Sequence, residues 1–395
     1  MKVVIALASS SGQLSGVQRH AINLARCLLS RPEVTAVHLV AAPWQHSFVL
    51  DSSPSSDARL HLHSAPIGNS AFSRNLWYLC HLPTLAQRLG GDIVHLAFPV
   101  PVRRGAFHCP TVVSLHDLYP HDIPENFGFP KVLFNRLALR QCLTAVNAIA
   151  CVSECTLFRL ETIYPKLESA KSLVVYNSVE QPTIQLSNIS PPRWGNEPFL
   201  LCVAQHRQNK NLTLALRVFE RLLRTERLAS QTRLIVIGIP GPETATIKQF
   251  VSSAGLKQNV IFLNGISDAL LQWCYRKCLL LLAPSTIEGF GLPVAEALQA
   301  GCPVVCSDIP AFREIGEDHC QYVPLGFQEV EAFADAVCAA TSRQSREPLA
   351  MPHLSAEVIA AQYMQLYSSL VSAPGAEASE QKTSYLSPRE KHFRI

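Results

Sequence analysis

Nowhere in its 395 residues does this chain carry Asp-x-Asp, the acidic pair that clamps a divalent metal on a diphosphate in many transferases. It has no Cys-x-x-Cys either: Cys151/Cys155, Cys274/Cys278 and Cys302/Cys306 are each four apart. The thirteen cysteines form an odd, scattered set. They read as reduced thiols serving as small buried hydrophobes, not as a zinc site or a disulfide framework. Gly-x-Gly-x-x-Gly is also missing, and no acidic residue ends the second strand to hold a ribose, which argues against a dinucleotide site. The strong apolar runs, Val3–Ala8 and Cys278–Ala283, are strand-length and far short of a membrane span. The first reads as a strand rather than a signal peptide. Charge is sparse, 16% of residues with a net of +4. That is too mild to argue for nucleic acid, and it permits contact with anionic lipid headgroups. The expectation is a cytoplasmic protein, soluble or at most peripheral at the inner face of a membrane.

What is present is a chain 48% hydrophobic, enough for more than one core, in which strand-like runs alternate with helical ones. Candidate strands in the first half are Val3–Ala8, Ala36–Ala41, Ile93–Ala97, Thr111–Leu115, Ala148–Val152 and Leu173–Tyr176. Helical patterns lie near Val17–Leu29, Leu76–Leu89 and Val132–Thr144. The second half restarts with strands Phe199–Val203, Arg233–Ile237, Val260–Leu263, Leu279–Ala283 and Val304–Ser307. Helices are expected there at Leu212–Leu228, Glu243–Ala254, Asp268–Lys277 and Val294–Ala300. This alternation predicts an α/β protein of two Rossmann-like, doubly wound parallel-sheet domains facing across a cleft. The domains are expected at 1–180 and 199–345, joined by a linker at 181–198 that holds Pro182, Pro191, Pro192 and Pro198. A final amphipathic helix, Leu354–Leu370, lies within 346–371. The small, polar and charged residues 372–395, ending in R-E-K-H-F-R-I, read as a disordered tail.

The most informative stretch is Pro284 to Gly316. Glu288 and Glu296 stand eight positions apart, with Gly289, Gly291 and Pro293 between them. The glycines remove Cβ where backbone approaches something closely, and Pro293 suits a first helical turn. A glycine-rich turn opening a helix is a phosphate site. One carboxylate precedes that turn and the other sits about two turns inside, so a diphosphate with hydroxyl-bearing groups on both sides would satisfy the arrangement. After strand Phe199–Val203, the loop C-V-A-Q-H-R-Q-N-K-N-L projects Arg207 and Lys210 near a helix start that Asn209 or Asn211 could cap. Two cations there are mutually unfavourable unless an anion lies between them. His116-Asp117 ends strand Thr111–Leu115, where such domains place ligand groups. His95 ends another strand and would line the acceptor side, while Arg103 and Arg104 would meet an acidic acceptor or solvent. Gly12 and Gly16 open the first helix, ahead of Arg19 and His20. Ser267 and Asp268 open another, with Asp268 equally plausible as its cap.

E-G-F-G-L-P-V-A-E-A followed by A-G-C-P-V-V resembles the Glu-x7-Glu signature of the retaining glycosyltransferases of family 4, which have the GT-B fold. The resemblance implies that the C-terminal domain holds a nucleotide sugar and the N-terminal domain an acceptor, with the last helix crossing back. It puts Glu296 on the ribose hydroxyls and Glu288 on the sugar. The diphosphate falls to Arg207, Lys210 and the Gly289-Phe290-Gly291-Leu292 turn, and the nucleotide base lies near Ser267. Gly16 belongs to the glycine loop over the donor phosphates, with Gly12 and Arg19 toward the acceptor. His116 would meet the donor sugar, a nearby carboxylate such as Asp117 fixing its tautomer, and this His-Asp pair favours a mannose-type hexose. No metal and no resident cofactor are expected, because the nucleotide sugar, GDP- or UDP-linked, is a substrate. The resemblance further implies transfer to a saccharide or lipid-linked saccharide with retention, the expected course being a front-face route. The chain departs from the family at Asn177–Glu180, N-S-V-E in place of Asn-Gly-Val-Asp, and at Gln205 and His206, where an arginine is common. A silent nucleotide-sugar-binding protein and a GT-B epimerase or phosphorylase remain alternatives.

Overall fold

A computed structural model describes residues 1–10, 12, 15–52, 57–167, 171–179, 192–342 and 346–372. Two parallel sheets organise them. The first holds β1 (Lys2–Ala6), β2 (Ala36–Ala41), β3 (Leu60–Ser64), β4 (Ile93–Leu96), β5 (Thr111–Leu115), β6 (Ala148–Cys151) and β7 (Ser172–Val174). The second holds β8 (Phe199–Val203), β9 (Arg233–Ile237), β10 (Val260–Leu263), β11 (Leu281–Ala283), β12 (Val304–Ser307) and β13 (Gln321–Val323). Their orders are β3-β2-β1-β4-β5-β6-β7 and β10-β9-β8-β11-β12-β13. Both are doubly wound, with order reversing between β1 and β4 and between β8 and β11. Ligand crevices in such sheets open at the carboxyl ends of the strands flanking that reversal.

Central strands are buried from end to end, and mostly apolar, because helices cover both faces. β2, β4 and β5 are buried at every position. β3 and β13 fell outside the sequence expectation. Both are short edge strands with polar, half-buried residues, so they lack the continuous apolar run that marks their neighbours. The single helix expected at Leu76–Leu89 is two, Ala71–Cys80 and Leu82–Arg88. The break falls at His81, because Pro83 has no N–H for the Leu79 carbonyl and its ring would clash with it in a continuous helix, whereas Pro is tolerated in a first turn. Helices Glu154–Ile163 and Glu329–Thr341 were also not anticipated.

The helix Ala356–Val371 is capped by Ser355, whose hydroxyl accepts from the Val358 N–H at 3.4 Å. It packs on the helix Gly16–Leu29. Ile359, Ala360, Tyr363 and Tyr367 share a core with Val3, Ile5, Leu24 and Leu28. The last helix therefore completes the first sheet's core. Most of the expected linker, 181–191, lies outside the described residues, as does all but Ser372 of the tail.

Candidate functional site

The reversal point of the second sheet brings the turn after β8 against the turn after β11. Asn211 takes a left-handed conformation, φ 48°, which swings the chain sharply into helix Leu212–Arg224. Lys210, one residue earlier, donates from Nζ to both carboxylate oxygens of Glu288 at 2.6 Å. Their side chains are only 19% and 10% exposed. Arg207 is exposed and makes no ion pair among the described residues, though its charge is close enough to favour the ionised form of Asp117. The expected asparagine cap is not made. Asn211 stands at the cap position without a side-chain bond, and Asn209 is buried, donating to the Tyr119 hydroxyl and the Ile287 carbonyl, both at 3.3 Å.

The glycine turn has two different reasons for its glycines. Gly291 has φ +100° and faces the Phe312 ring at 3.0 Å from where a Cβ would stand. A Cβ on Gly289 would lie 1.7 Å from the His116 carbonyl oxygen. What approaches Gly289 closely is thus the other domain's backbone, not a phosphate. Ser153 and Thr156 reinforce the contact by donating to the Gly289 carbonyl, Thr156 at 3.1 Å. From the opposite side, the Glu314 carboxylate accepts the Glu154 and Cys155 N–H groups at 2.7 and 3.0 Å, at the start of helix Glu154–Ile163. The Phe290 side chain, expected among the donor contacts, is 5% exposed and packs toward Tyr176, ring centroids 6.1 Å apart. Only its backbone can face a ligand. Helix Leu292–Gln299 begins at Leu292 and presents its first N–H groups to the crevice. Across it stands Gly16, where a Cβ would be 4.0 Å from Leu292 Cδ1. Of the glycine loop, residues 11, 13 and 14 lie outside the described residues. Gly12 lies by Trp44, whose indole N–H donates to the Ser9 carbonyl at 3.2 Å.

Glu296 forms a second corner. It accepts from the Tyr275 hydroxyl at 2.8 Å. Burial pushes its carboxyl upward, opposed by the Arg19 charge and the Tyr275 bond. Arg19, expected toward the acceptor, instead reaches across the cleft to Asp268 at 2.8 Å, within the electrostatic reach of Glu296. The reason is geometric: Arg19 lies on the first turn of a helix whose N-terminus points at the other domain. Ser267, not Asp268, caps helix Asp268–Lys277, accepting from the Leu270 N–H at 3.2 Å. Its hydroxyl oxygen is therefore committed locally.

On the N-terminal side, His116 is oriented by a backbone carbonyl rather than by a carboxylate. Its Nε2–H donates to Ala97 O at 2.9 Å, leaving Nδ1 as the acceptor of a neutral ring. Burial lowers its pKa to about 4. Asp117 turns away, accepting the Tyr119 N–H at 3.1 Å. Burial raises its carboxyl to about 6, against the pull of that bond and of the Arg207 and Lys210 charges. His95 does not line the acceptor side. It is fully buried, with Nδ1 2.7 Å from the Tyr367 hydroxyl and Nε2 2.8 Å from Ser114 Oγ. A strand covered on both faces has no exposed side to offer. Ser114 also meets His20 Nε2 at 2.8 Å, and the His20 and His116 rings stand edge to face at 4.8 Å. The sequence reading gave Asn209 a capping role it does not have, and it missed Ser114, Tyr275 and Glu314. Of these only Ser114 carried a signal, as a polar residue inside the apolar strand T-V-V-S-L, two positions before His116.

Between the domains lies a cavity of about 240 Å³, walled by Asp117, Tyr119, Thr156, Thr286, Glu288 and Ala311 among others. Among the carboxylates that face this cavity are Glu288, paired with Lys210, and Asp117, raised by burial and next in sequence to the neutral His116 ring. That set can bind an anion, hold a developing positive charge and accept hydrogen bonds from hydroxyls.

Residues 14–181 match the model of Glycosyltransferase Family 4, and residues 188–350 that of Glycosyl transferases group 1. The O-antigen chain mannosyltransferase RfbU of Salmonella typhimurium is 29% identical over 213 residues, 53% of this chain and 56% of that protein. The chain spans about half the length of the curated relative it matches. WaaG, a glycosyltransferase involved in lipopolysaccharide biosynthesis, has a crystal structure similar at TM-score 0.65 and 18% identity, over 94% of this chain and 97% of that one. Anabaena HepE, crystallised with UDP and glucose, is similar at TM-score 0.63 and 17% identity, over 94% and 100%. At such identities the structures speak for the fold alone. Family models on both halves, with this shared two-domain fold, place the chain among the GT-B glycosyltransferases of group 1.

Proposed function

We propose that this protein is a retaining hexosyltransferase. It moves a mannose-type sugar from a GDP- or UDP-linked donor to a hydroxyl of a saccharide or lipid-linked saccharide, without a metal clamp. The observation that carries this reading is the largely buried Lys210–Glu288 pair at the reversal point of the second sheet, beside the contact of Gly289 with the His116 backbone. The mannosyltransferase named above among the curated relatives supports the choice of sugar, and HepE with UDP and glucose shows a related fold accepting such ligands.

In this reading the diphosphate enters between Lys210 and the start of helix Leu292–Gln299. It draws Lys210 toward itself and frees Glu288 to face the sugar. Arg207 swings in from solvent as the second cation. Glu296, oriented by Tyr275, takes the ribose hydroxyls. As the anomeric carbon–phosphate oxygen bond breaks, positive charge grows on the sugar ring and negative charge on the leaving diphosphate. Glu288 stabilises the first, and Lys210 and Arg207 the second. The acceptor oxygen bonds the anomeric carbon on the face the diphosphate leaves, and its proton passes to the departing phosphate oxygen. His116, neutral and held by Ala97, accepts a sugar hydroxyl at Nδ1.

The test is a thermal-shift panel of UDP- and GDP-sugars in metal-free buffer, followed by turnover with the sugar that shifts. A ligand bound only by the folded state raises the melting temperature with its concentration. One nucleotide sugar should do so, and Glu296→Ala should abolish the shift. A shift without turnover on any saccharide acceptor would favour a silent binder, and no shift with any donor would remove the reading altogether.

A further inference from the structure

Most of the molecule hides its large apolar side chains, but the segment that follows the His116-Asp117 turn does not. Phe129 is 87% exposed, Leu133 49%, Phe134 66% and Leu137 55%. On helix Lys131–Ala145 positions 133, 134 and 137 share one face at helical spacing, with Phe129 just ahead of the first turn. The opposite face, Leu139, Cys142 and Leu143, is buried in the N-terminal core. The helix is therefore apolar on two faces, and the fold covers only one. A contiguous exposed apolar patch of this kind marks an interaction site.

The charges around it say which partner. The helix carries no carboxylate. Lys131 and Arg140 are exposed on it, and Arg103 and Arg104 are exposed on a neighbouring loop. Gln141 pins that loop alongside, its Oε1 accepting the Val102 N–H at 2.9 Å and its amide donating to the Val102 carbonyl. None of these four cations joins an ion pair among the described residues. Aromatic and aliphatic side chains flanked by Lys and Arg are what an interfacial helix presents to an anionic bilayer. A second copy of this chain would set like charges face to face, which opposes pairing.

We propose that this face docks on an anionic lipid surface. Phe129, Leu133, Phe134 and Leu137 enter the boundary between headgroups and acyl chains, and Lys131, Arg140, Arg103 and Arg104 rest on the headgroups. The surface is coupled to the cleft, because Arg136 Nε donates at 2.7 Å to the carbonyl of Pro120, three residues after Asp117. Docking so placed orients the cleft relative to the bilayer. It holds whether or not the transferase reading does, since it needs no sugar.

Flotation of the full chain with phosphatidylcholine vesicles, with and without phosphatidylglycerol, tests it. Wild type should float with the anionic vesicles only, less so as salt rises. Phe129→Ser/Phe134→Ser should weaken that binding by at least about tenfold and leave the melting temperature unchanged, because both side chains are exposed. Arg103→Ser/Arg104→Ser should weaken it and blunt its salt dependence. Absence of wild-type binding, or equal binding by the phenylalanine variant, overturns the proposal. So does binding lost only when residues 373–395 are removed, which would assign it to the basic tail. A concentration-dependent dimer in sedimentation, abolished by the phenylalanine changes, would make a second copy the occupant instead.

Discussion

The two walls of the cleft are built on opposite principles. The C-terminal wall is charged and self-paired: Lys210 with Glu288, Glu296 with Tyr275, and Arg19 drawn over to Asp268. The N-terminal wall is neutral and wired inward, from His116 to a backbone carbonyl and from His20 through Ser114 and His95 to Tyr367 on the last helix. A charged wall must be compensated when it is empty, and its internal pairs do this until a substrate replaces one partner. A neutral wall needs no compensation, so its groups can be held rigidly by buried bonds. One side is arranged to exchange partners, the other to stay still.

The largest effect should come from breaking the exchange. Glu288→Ala should lower kcat by about 10²- to 10³-fold, the usual scale for losing a charge aimed at the transition state. Lys210→Ala should cost a similar factor. If the two act as one exchangeable unit, the double variant should be little worse than either single one. Fully multiplicative losses, read from initial rates, would mean that the pair is not functionally coupled.

The next prediction sets Asp117, where the walls meet, against both. Its carboxyl sits near 6 because burial disfavours its charge. Between its ordinary range near 4 and about 6 the folded chain holds a proton that the unfolded chain has released, so stability falls as pH rises through that window and stays lower above it. Asp117→Asn keeps the acceptor for the Tyr119 N–H. It should therefore raise stability at pH 7.5 by up to about 3 kcal/mol while lowering turnover. A variant less stable than wild type at pH 7.5 in urea titrations would show that the Arg207 and Lys210 charges outweigh burial there.

A third prediction concerns the seam between the walls. Gly289→Ala places a methyl against the His116 carbonyl oxygen, and relief requires the domains to part. A loss of about 1–3 kcal/mol is expected, as for other overpacked sites, with KM for the donor rising more than kcat falls. An unchanged melting temperature would mean that the domains separate freely at Gly289.

The same contrast explains what was legible in the sequence. The C-terminal wall could be read because its groups are local: Glu288, the glycines and Glu296 lie within nine residues, and their spacing states a helix start. The alternating apolar runs gave both sheets, except β3 and β13, whose edge positions remove the signal. The N-terminal wall was misread at His95, since only the packed structure shows that β4 has no open face, and at Asp117, which accepts the Tyr119 N–H and leaves His116 to a backbone carbonyl. Partners distant in sequence, such as Tyr275 for Glu296, Asp268 for Arg19 and Glu314 for the start of Glu154–Ile163, are set by how two domains meet. No local pattern encodes them.

The smallest effect tests the rigid wall itself. Tyr367→Phe removes one hydroxyl, 2.7 Å from His95 Nδ1, and leaves that nitrogen buried without its partner. The cost should be about 1 kcal/mol, the net worth of one buried hydrogen bond, seen as a melting shift of a few degrees. The acid behaviour should persist. Burial holds His95 at about 3 and His116 at about 4, both depressed, so the unfolded chain binds protons that the folded one refuses. Their contribution to stability, opposite in sign to that of Asp117, is then fully present above the ordinary imidazole range and is lost as pH falls from about 6.5 toward 4. Because desolvation, not the tyrosine, causes that depression, the variant and wild type should lose stability in parallel over this window. If the variant flattened the acid profile instead, His95 would have gained access to water, and the last helix would be what keeps the N-terminal wall dry.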